Sequence, residues 1–258
     1  MSLPVASRGR AGSARLVWLF DLDNTLHDAS HAAFGPLADA MTGYITDNLG
    51  VDAYDAAALR QRYWRRYGAT LLGLVRHHGV DAAHFLEHTH RLPGLEERLR
   101  TSAHDRAALA RLRGTKIVLT NAPRAYALRV LGALRLLSQV DAVIAIEDMA
   151  MFGELRPKPD ARMLRRLVAR LRVPATRCVL VEDTLAHQKA ARALGMRTAW
   201  MQRYLGGRFR GRDGASREAA ATAVNEGDER LVTGLRRRRR PAYVCARIAS
   251  LLALTRLA

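Results

Sequence analysis

Phe20-Asp21-Leu22-Asp23-Asn24-Thr25-Leu26 decides how this chain reads, because it joins an apolar run, Leu16–Phe20, to a pair of carboxylates. Similar runs recur at Ile117–Thr120, Ala142–Ile146, Cys178–Val181 and Arg197–Met201. Helical patterns separate the later ones, and that alternation predicts a parallel α/β sheet. From Asp160 to Arg172, Met163, Leu164, Leu167, Val168 and Leu171 share one helix face, and Val173-Pro174 stops it. Thr184 is placed to cap a helix running to Leu194, and Gly195 suits its left-handed end. Pro123 sits where the first turn of another helix should start. In open parallel sheets ligands bind beyond the carboxyl ends of the strands, which is where residues 21–26 fall.

Working outward, residues 31–110 break this rhythm with helix after helix and no credible strand, as expected of a helical cap inserted into the sheet protein. Gly206 to Arg240 is rich in Gly, Ala, Arg and acids without periodicity and reads as a flexible basic insertion. After it, Ala242–Cys245 and an amphipathic stretch to Leu254 are expected to return to the core. The 258 residues, 49% of them apolar, suffice for one core plus a smaller module. Cys178 and Cys245 have no CxxC spacing and point to a reduced, cytoplasmic protein. The basic stretch 1–13 is expected to be disordered. It has no apolar segment behind it long enough for secretion or a membrane span.

Forty-two Lys plus Arg stand against 24 Asp plus Glu, a formal charge of +18. That surplus suggests anionic partners, phosphorylated small molecules or nucleic acid. Arginine is spread through every helical segment, and Arg236–Arg240 is the one dense run, so the charge outlines no nucleic-acid site.

Three runs end in groups that phosphoryl transfer needs. Asp21 and Asp23 lie two apart on a loop, where one carboxylate can attack phosphorus and the other can deliver a proton. A calcium loop would need glycine where Leu26 stands. Leu119-Thr120-Asn121-Ala122 offers a hydroxyl and backbone N–H groups at a helix start, suited to phosphate oxygens and equally to an ordinary N-cap. Arg156-Pro157-Lys158-Pro159-Asp160 presents one ammonium from a loop that two prolines stiffen. Val181-Glu182-Asp183-Thr184 brings two more acids, hard oxygen ligands that suit Mg²⁺.

In this order and placement, the motifs resemble those of the haloacid dehalogenase (HAD) superfamily over about residues 15–254. The resemblance implies a Rossmann-like core of residues 14–30 and 111–254 with a parallel sheet, and a helical cap of the C1 type at 31–110. It also implies a Mg²⁺-dependent phosphatase in which Asp21 forms an aspartyl-phosphate and Asp23 is general acid, then base. Thr120 and Asn121 would bind the phosphoryl group, and Lys158 would offset its charge. Asp21, the Asp23 main-chain carbonyl and Asp183, helped by Glu182, would hold the metal.

Within the superfamily the chain is most similar to the bacterial pyrimidine 5′-nucleotidase-like group. That similarity rests on Asp21–Leu26, on the cap segment Arg60-Gln61-Arg62-Tyr63-Trp64-Arg65-Arg66-Tyr67-Gly68-Ala69-Thr70, on Leu119–Ala122 and on Val181–Ala186. It implies a nucleoside 5′-monophosphate as substrate, with Tyr63, Trp64 and Tyr67 as specificity residues if they do not simply pack the cap. A sugar-phosphate or phosphoglycolate phosphatase or a mutase shares these motifs. A dehalogenase would lack Asp23, and an Arg-rich nucleic-acid-binding protein on an inactive fold would have no need of the intact acids. His84-Phe85-Leu86-Glu87-His88 also matches the HxxEH pattern of zinc peptidases, without a third ligand at suggestive spacing.

Overall fold

The computed structural model describes residues 16–205 and 240–256. In chain order the elements are β1 (Val17–Phe20), α1 (Ala29–Ala32), α2 (Phe34–Leu49), α3 (Ala53–Tyr67), α4 (Thr70–His78), α5 (Ala82–Thr89), α6 (Leu95–Arg98) and α7 (Ala103–Arg111). There follow β2 (Thr115–Leu119), α8 (Arg124–Ala133), β3 (Ala142–Ile144), the short pair β4 (Ala150–Met151) and β5 (Glu154–Leu155), and α9 (Ala161–Leu171). The chain then forms β6 (Cys178–Glu182), α10 (Leu185–Ala193), β7 (Arg197–Met201) and β8 (Ala246–Ile248).

Among the described residues six strands form one sheet in the order β3-β2-β1-β6-β7-β8, every pair parallel. This is the expected Rossmann-like α/β architecture. The central strands are buried on both faces, and so they read in sequence as continuous apolar runs instead of alternating ones. One face packs Trp18, Phe20, Val118, Val179 and Val181 against α7, α8 and the C-terminal turn. The other packs Leu19, Ile117, Leu119 and Leu180 against Met163, Leu164 and Leu167 of α9.

The helix starts differ in detail from what the sequence predicts. Asp160 caps α9, its Oδ1 accepting from the N–H groups of Arg162 and Met163. Thr184 sits at the N-cap of α10, but its hydroxyl lies on Asp183 Oδ1 at 3.2 Å and caps nothing. Pro123 is the N-cap of α8, one place earlier than expected. After residue 240 the chain returns to the core as expected, through the strand Ala246–Ile248 and through Leu251 and Leu254, while residues 241–244 close a turn, Val244 N–H donating to Pro241 O. The stretches 1–13 and 206–239, including Arg236–Arg239, lie outside the described residues.

The helices between β1 and β2 divide between two clusters. Ala32, Ala33, Leu92, Leu95, Ala108, Leu109 and Leu112 belong to the sheet's own core. A separate cluster gathers Tyr44, Ile45, Ala56, Tyr63, Leu71, Leu74, Phe85 and Leu86 from α2 to α5. Ile146 and Leu155, from the segment after β3, close that second cluster from the sheet side. No helix among the described residues is long and apolar enough to cross a membrane.

Candidate active site

Register assembles the site. Phe20 stands level with Val118 of β2 and Val181 of β6, so the residues that follow emerge together at one sheet edge. Asp21 continues β1, its N–H donating to Val181 O. Asn24 then takes a positive φ of 57°, which Asn tolerates, and its side chain pairs with Ser30, Oδ1 accepting from Ser30 N–H and Nδ2 donating to Ser30 Oγ. The loop that carries Asp21 and Asp23 is thereby closed on itself.

Lys158 is 1% exposed and lies between two carboxylates, its Nζ donating to Asp21 Oδ1 at 2.6 Å and to Glu182 Oε2 at 2.8 Å. Burial alone would lower its pKa, but the two anions raise it, so the ammonium persists. Burial would raise Glu182, yet Lys158 and then His187, whose Nδ1 is 2.9 Å from Oε2, hold it well below the usual carboxylate range. Thr184 N–H occupies Glu182 Oε1 at 3.1 Å.

Asp21, Glu182 and Asp183 each offer an oxygen within 4.8 Å of the others, the one such acidic or metal-capable trio among the described residues. Crowding shows in their acidities. Burial, then the charge of Glu182, pushes Asp21 up to about 7 even with Lys158 opposing, and burial with Glu182 and Asp21 raises Asp183 well above its ordinary value. An all-oxygen, over-acidic cluster of this kind fits a hard divalent cation. Glu182 lies in the trio, although Lys158 Nζ holds Oε2 and Thr184 N–H holds Oε1.

Thr120 is buried at the end of β2. Its Oγ1 accepts from Ala122 N–H at 3.0 Å, leaving its own O–H free to donate. The Asn121 side chain is turned to the Lys158 peptide, Nδ2 donating to Lys158 O and Oδ1 accepting from Lys158 N–H.

Asp23 Oδ1 accepts from Tyr126 Oη at 2.8 Å and stands 2.9 Å from His27 Nε2. Burial, then the Asp23 charge and this hydrogen bond, raises Tyr126 well above its ordinary pKa and keeps it a donor. Neither Tyr126 nor His27 nor His187 was singled out in the sequence. His27 follows Asp23 by four and could have been noticed, whereas Tyr126 arrives from α8, 103 residues away. Trp200 Nε1 donates to Asp183 O and steadies the last acid.

The three aromatic residues expected at the specificity site have different fates. Tyr63 is buried, its Oη 2.7 Å from His78 Nε2 and its ring stacked on His77, so it packs α3 on α4. Trp64 is exposed. Tyr67 is half-buried with its Oη 2.6 Å from His77 Nε2, and at the next residue, Gly68, a Cβ would stand 3.7 Å from Pro159 Cδ. The α3–α4 turn therefore comes down on the Lys158 loop. His84 and His88 lie with ring centroids 4.0 Å apart, His84 Nδ1 on Tyr44 Oη and His88 Nδ1 on His84 O, and they join no metal-capable trio among the described residues.

The yeast (Saccharomyces cerevisiae) Phosphate metabolism protein 8 is 23% identical over 196 residues, 71% of this chain and 60% of that protein, so the chain spans less than two thirds of this relative. Among solved structures, a HAD phosphatase from Thermococcus onnurineus matches with a TM-score of 0.55 at 17% identity, covering 95% of this chain and 97% of the other. CbbY from Rhodobacter sphaeroides, in complex with phosphate, gives 0.56 at 18% over 93% and 96%. L-2-haloacid dehalogenase from Xanthobacter autotrophicus, with chloropropionic acid covalently bound, gives 0.51 at 18% over 95% and 98%. These likenesses concern the fold, which serves both chemistries. The family profile described as haloacid dehalogenase-like hydrolase matches residues 17–195, and with the sheet and its acid-lined edge before us, the chain belongs to that family.

Proposed function

We propose that this hydrolase is a phosphatase of small phosphate monoesters, acting through an aspartyl-phosphate on Asp21, and that its substrate is a pyrimidine nucleoside 5′-monophosphate. The observation that carries the reading is Asp23, a second carboxylate two residues past Asp21, held by two donors at the same strand end. Displacing halide from carbon needs no proton donor, whereas expelling an alkoxide from phosphorus does.

In this reading an Asp21 oxygen attacks phosphorus. Lys158 steadies the attacking carboxylate and screens it from the phosphate's charge, while Glu182 anchors the ammonium from behind. The Thr120 hydroxyl, free to donate, holds a phosphoryl oxygen. Asp23 protonates the leaving oxygen and then takes the proton of the water that hydrolyses the aspartyl-phosphate. Asp21 and Asp183, with the main-chain carbonyl of Asp23, would hold Mg²⁺, which when bound offsets the negative charge shared by Asp21 and the phosphate. The segment from Phe34 to His90 would form the cap, a shorter unit than the sequence alone outlined, because residues from Leu92 onward pack with the sheet. In this reading its α3–α4 turn, with Tyr67 beside Gly68, would meet the nucleoside. Two free thiols accord with a cytoplasmic location.

The test is a screen of nucleoside monophosphates, sugar phosphates and phosphoglycolate, with Mg²⁺ and with chelator, on the parent and Asp21→Asn. Mg²⁺-dependent release of phosphate from UMP or CMP, lost in Asp21→Asn, is expected. Preference for a sugar phosphate or phosphoglycolate would overturn the nucleotidase assignment, and activity surviving Asp21→Asn would overturn the covalent mechanism.

A further inference from the structure

Both hydrogen-bond partners of the Asp23 side chain converge on one oxygen. Tyr126 Oη donates to Oδ1 at 2.8 Å, and His27 Nε2 stands 2.9 Å from the same atom. Among the described residues no protein group bonds Oδ2. His27 is wholly buried and its Nδ1 has no partner, so the tautomer that fits carries its proton on Nε2 and leaves a bare lone pair on Nδ1. A buried N–H without an acceptor would cost more than an unused lone pair. Tyr126 is 3% exposed and is itself wedged in place, with His90 edge-on to its ring at 5.7 Å and 75°. Neither group has the exposure to contact a substrate; each faces the carboxylate.

We propose that Tyr126 and His27 are positioning residues that pin Asp23 through Oδ1, so that Oδ2 alone carries the proton to the leaving group and back from water. The inference rests on the phosphatase reading above. In the step concerned, the Asp21–phosphorus bond forms and the phosphorus–ester oxygen bond breaks. The departing electron pair on that oxygen takes the proton from Oδ2, giving an alcohol and the Asp23 carboxylate. Unpinned, the carboxyl group can rotate about its Cβ–Cγ bond, and its proton no longer rests on the line to the leaving oxygen.

Leaving-group dependence separates this role from a purely structural one. An alkyl ester, such as a nucleoside 5′-monophosphate or β-glycerophosphate, must be protonated as it leaves. p-Nitrophenolate leaves without help. The ratio kcat/KM reports the step in which the ester bond breaks, so it is measured with Mg²⁺ on both kinds of ester for the parent and Tyr126→Phe, a change that keeps the ring and its packing. The alkyl ester should lose roughly tenfold or more, a part of the ~10²–10⁴-fold that a placed acid supplies, and the aryl ester several-fold less. His27→Gln, which can still present an N–H, should retain more alkyl-ester activity than His27→Leu, with melting curves confirming that both fold. Equal losses on both esters, or none on either, for Tyr126→Phe would overturn the inference alone. A parent inactive on every phosphate ester would overturn the phosphatase reading and this inference with it.

Discussion

The carboxamide of Asn121 closes a ring on the backbone of Lys158, Nδ2 donating to the Lys158 carbonyl at 2.9 Å and Oδ1 accepting from its N–H at 2.9 Å. One orientation of the amide satisfies both bonds, so the lysine's loop is fixed relative to β2 by this side chain. Asn121→Ala should therefore act through Lys158. A fall in kcat of about 10–10²-fold, with little change in KM, is expected from a displaced ammonium. Asn121→Asp, which cannot donate to the carbonyl, should behave alike. Steady-state kinetics alongside melting curves checks this, and a rise in KM alone would mean that the amide touches substrate instead.

Crowded carboxylates make cation binding depend on pH. With Asp21 pushed up to about 7 and Asp183 raised as well, the metal-free cluster still holds protons at pH 6, and a cation must displace them. Affinity for Mg²⁺ should therefore rise as pH rises through 7, by roughly tenfold between pH 6 and 8 for one displaced proton. Calorimetry in buffers of different ionisation heat would register the released proton. Trp200, bonded to Asp183 O, offers a fluorescence signal for the same titration. A pH-independent affinity would contradict the acidities described above.

His90 is buried at the end of α5, and burial lowers its pKa from 6.5 to about 4. An unfolded chain takes up a proton at this residue below pH 6.5, while the folded chain refuses it until about 4. The stabilising contribution is thus complete above 6.5 and is lost as pH falls towards 4, a loss of about 3 kcal/mol at most. Urea unfolding at pH 7 and pH 4.5 should show a smaller drop for His90→Gln than for the parent. The same drop in both would place the acid sensitivity elsewhere.

Strand ends were legible in the sequence because parallel strands buried on both faces leave continuous apolar runs, and the acids stood where those runs stopped. Asp21, Lys158, Glu182 and Asp183 thus meet as their order along the chain implied. What the sequence concealed was side-chain direction. Nothing near Asn121 in the sequence announces that its amide bonds the backbone of a lysine 37 residues away. Tyr63 and Tyr67 differ by one helical turn, and only packing against α4 separates the buried ring from the half-buried one. Tyr126, within a helix of ordinary composition, carries no local signal, because its partner lies on another strand's loop.

Gly73 and Gly43 both lie inside helices, α4 and α2, where alanine is intrinsically preferred by about 1 kcal/mol. Their surroundings reverse the outcome at one of them. A Cβ built on Gly73 would fall 2.1 Å from Cγ of Tyr63, while one on Gly43 meets nothing within 4 Å. The Tyr63 ring cannot swing aside, since its Oη is tied to His78 and its face lies on His77. Gly73→Ala should thus push α3 off α4 and destabilise the protein by roughly 1–3 kcal/mol, more than the helix preference returns. Gly43→Ala should stabilise it by up to about 1 kcal/mol. In Gly73→Ala, Tyr63→Ala should relieve part of the overpacking, so the double mutant should lie closer to Tyr63→Ala than the sum of the single changes requires. Chemical denaturation of the parent and these four variants measures each value. Stabilisation by Gly73→Ala, or strict additivity with Tyr63→Ala, would show that the ring does not pack over Gly73 and would return Tyr63 to the list of residues free to meet substrate.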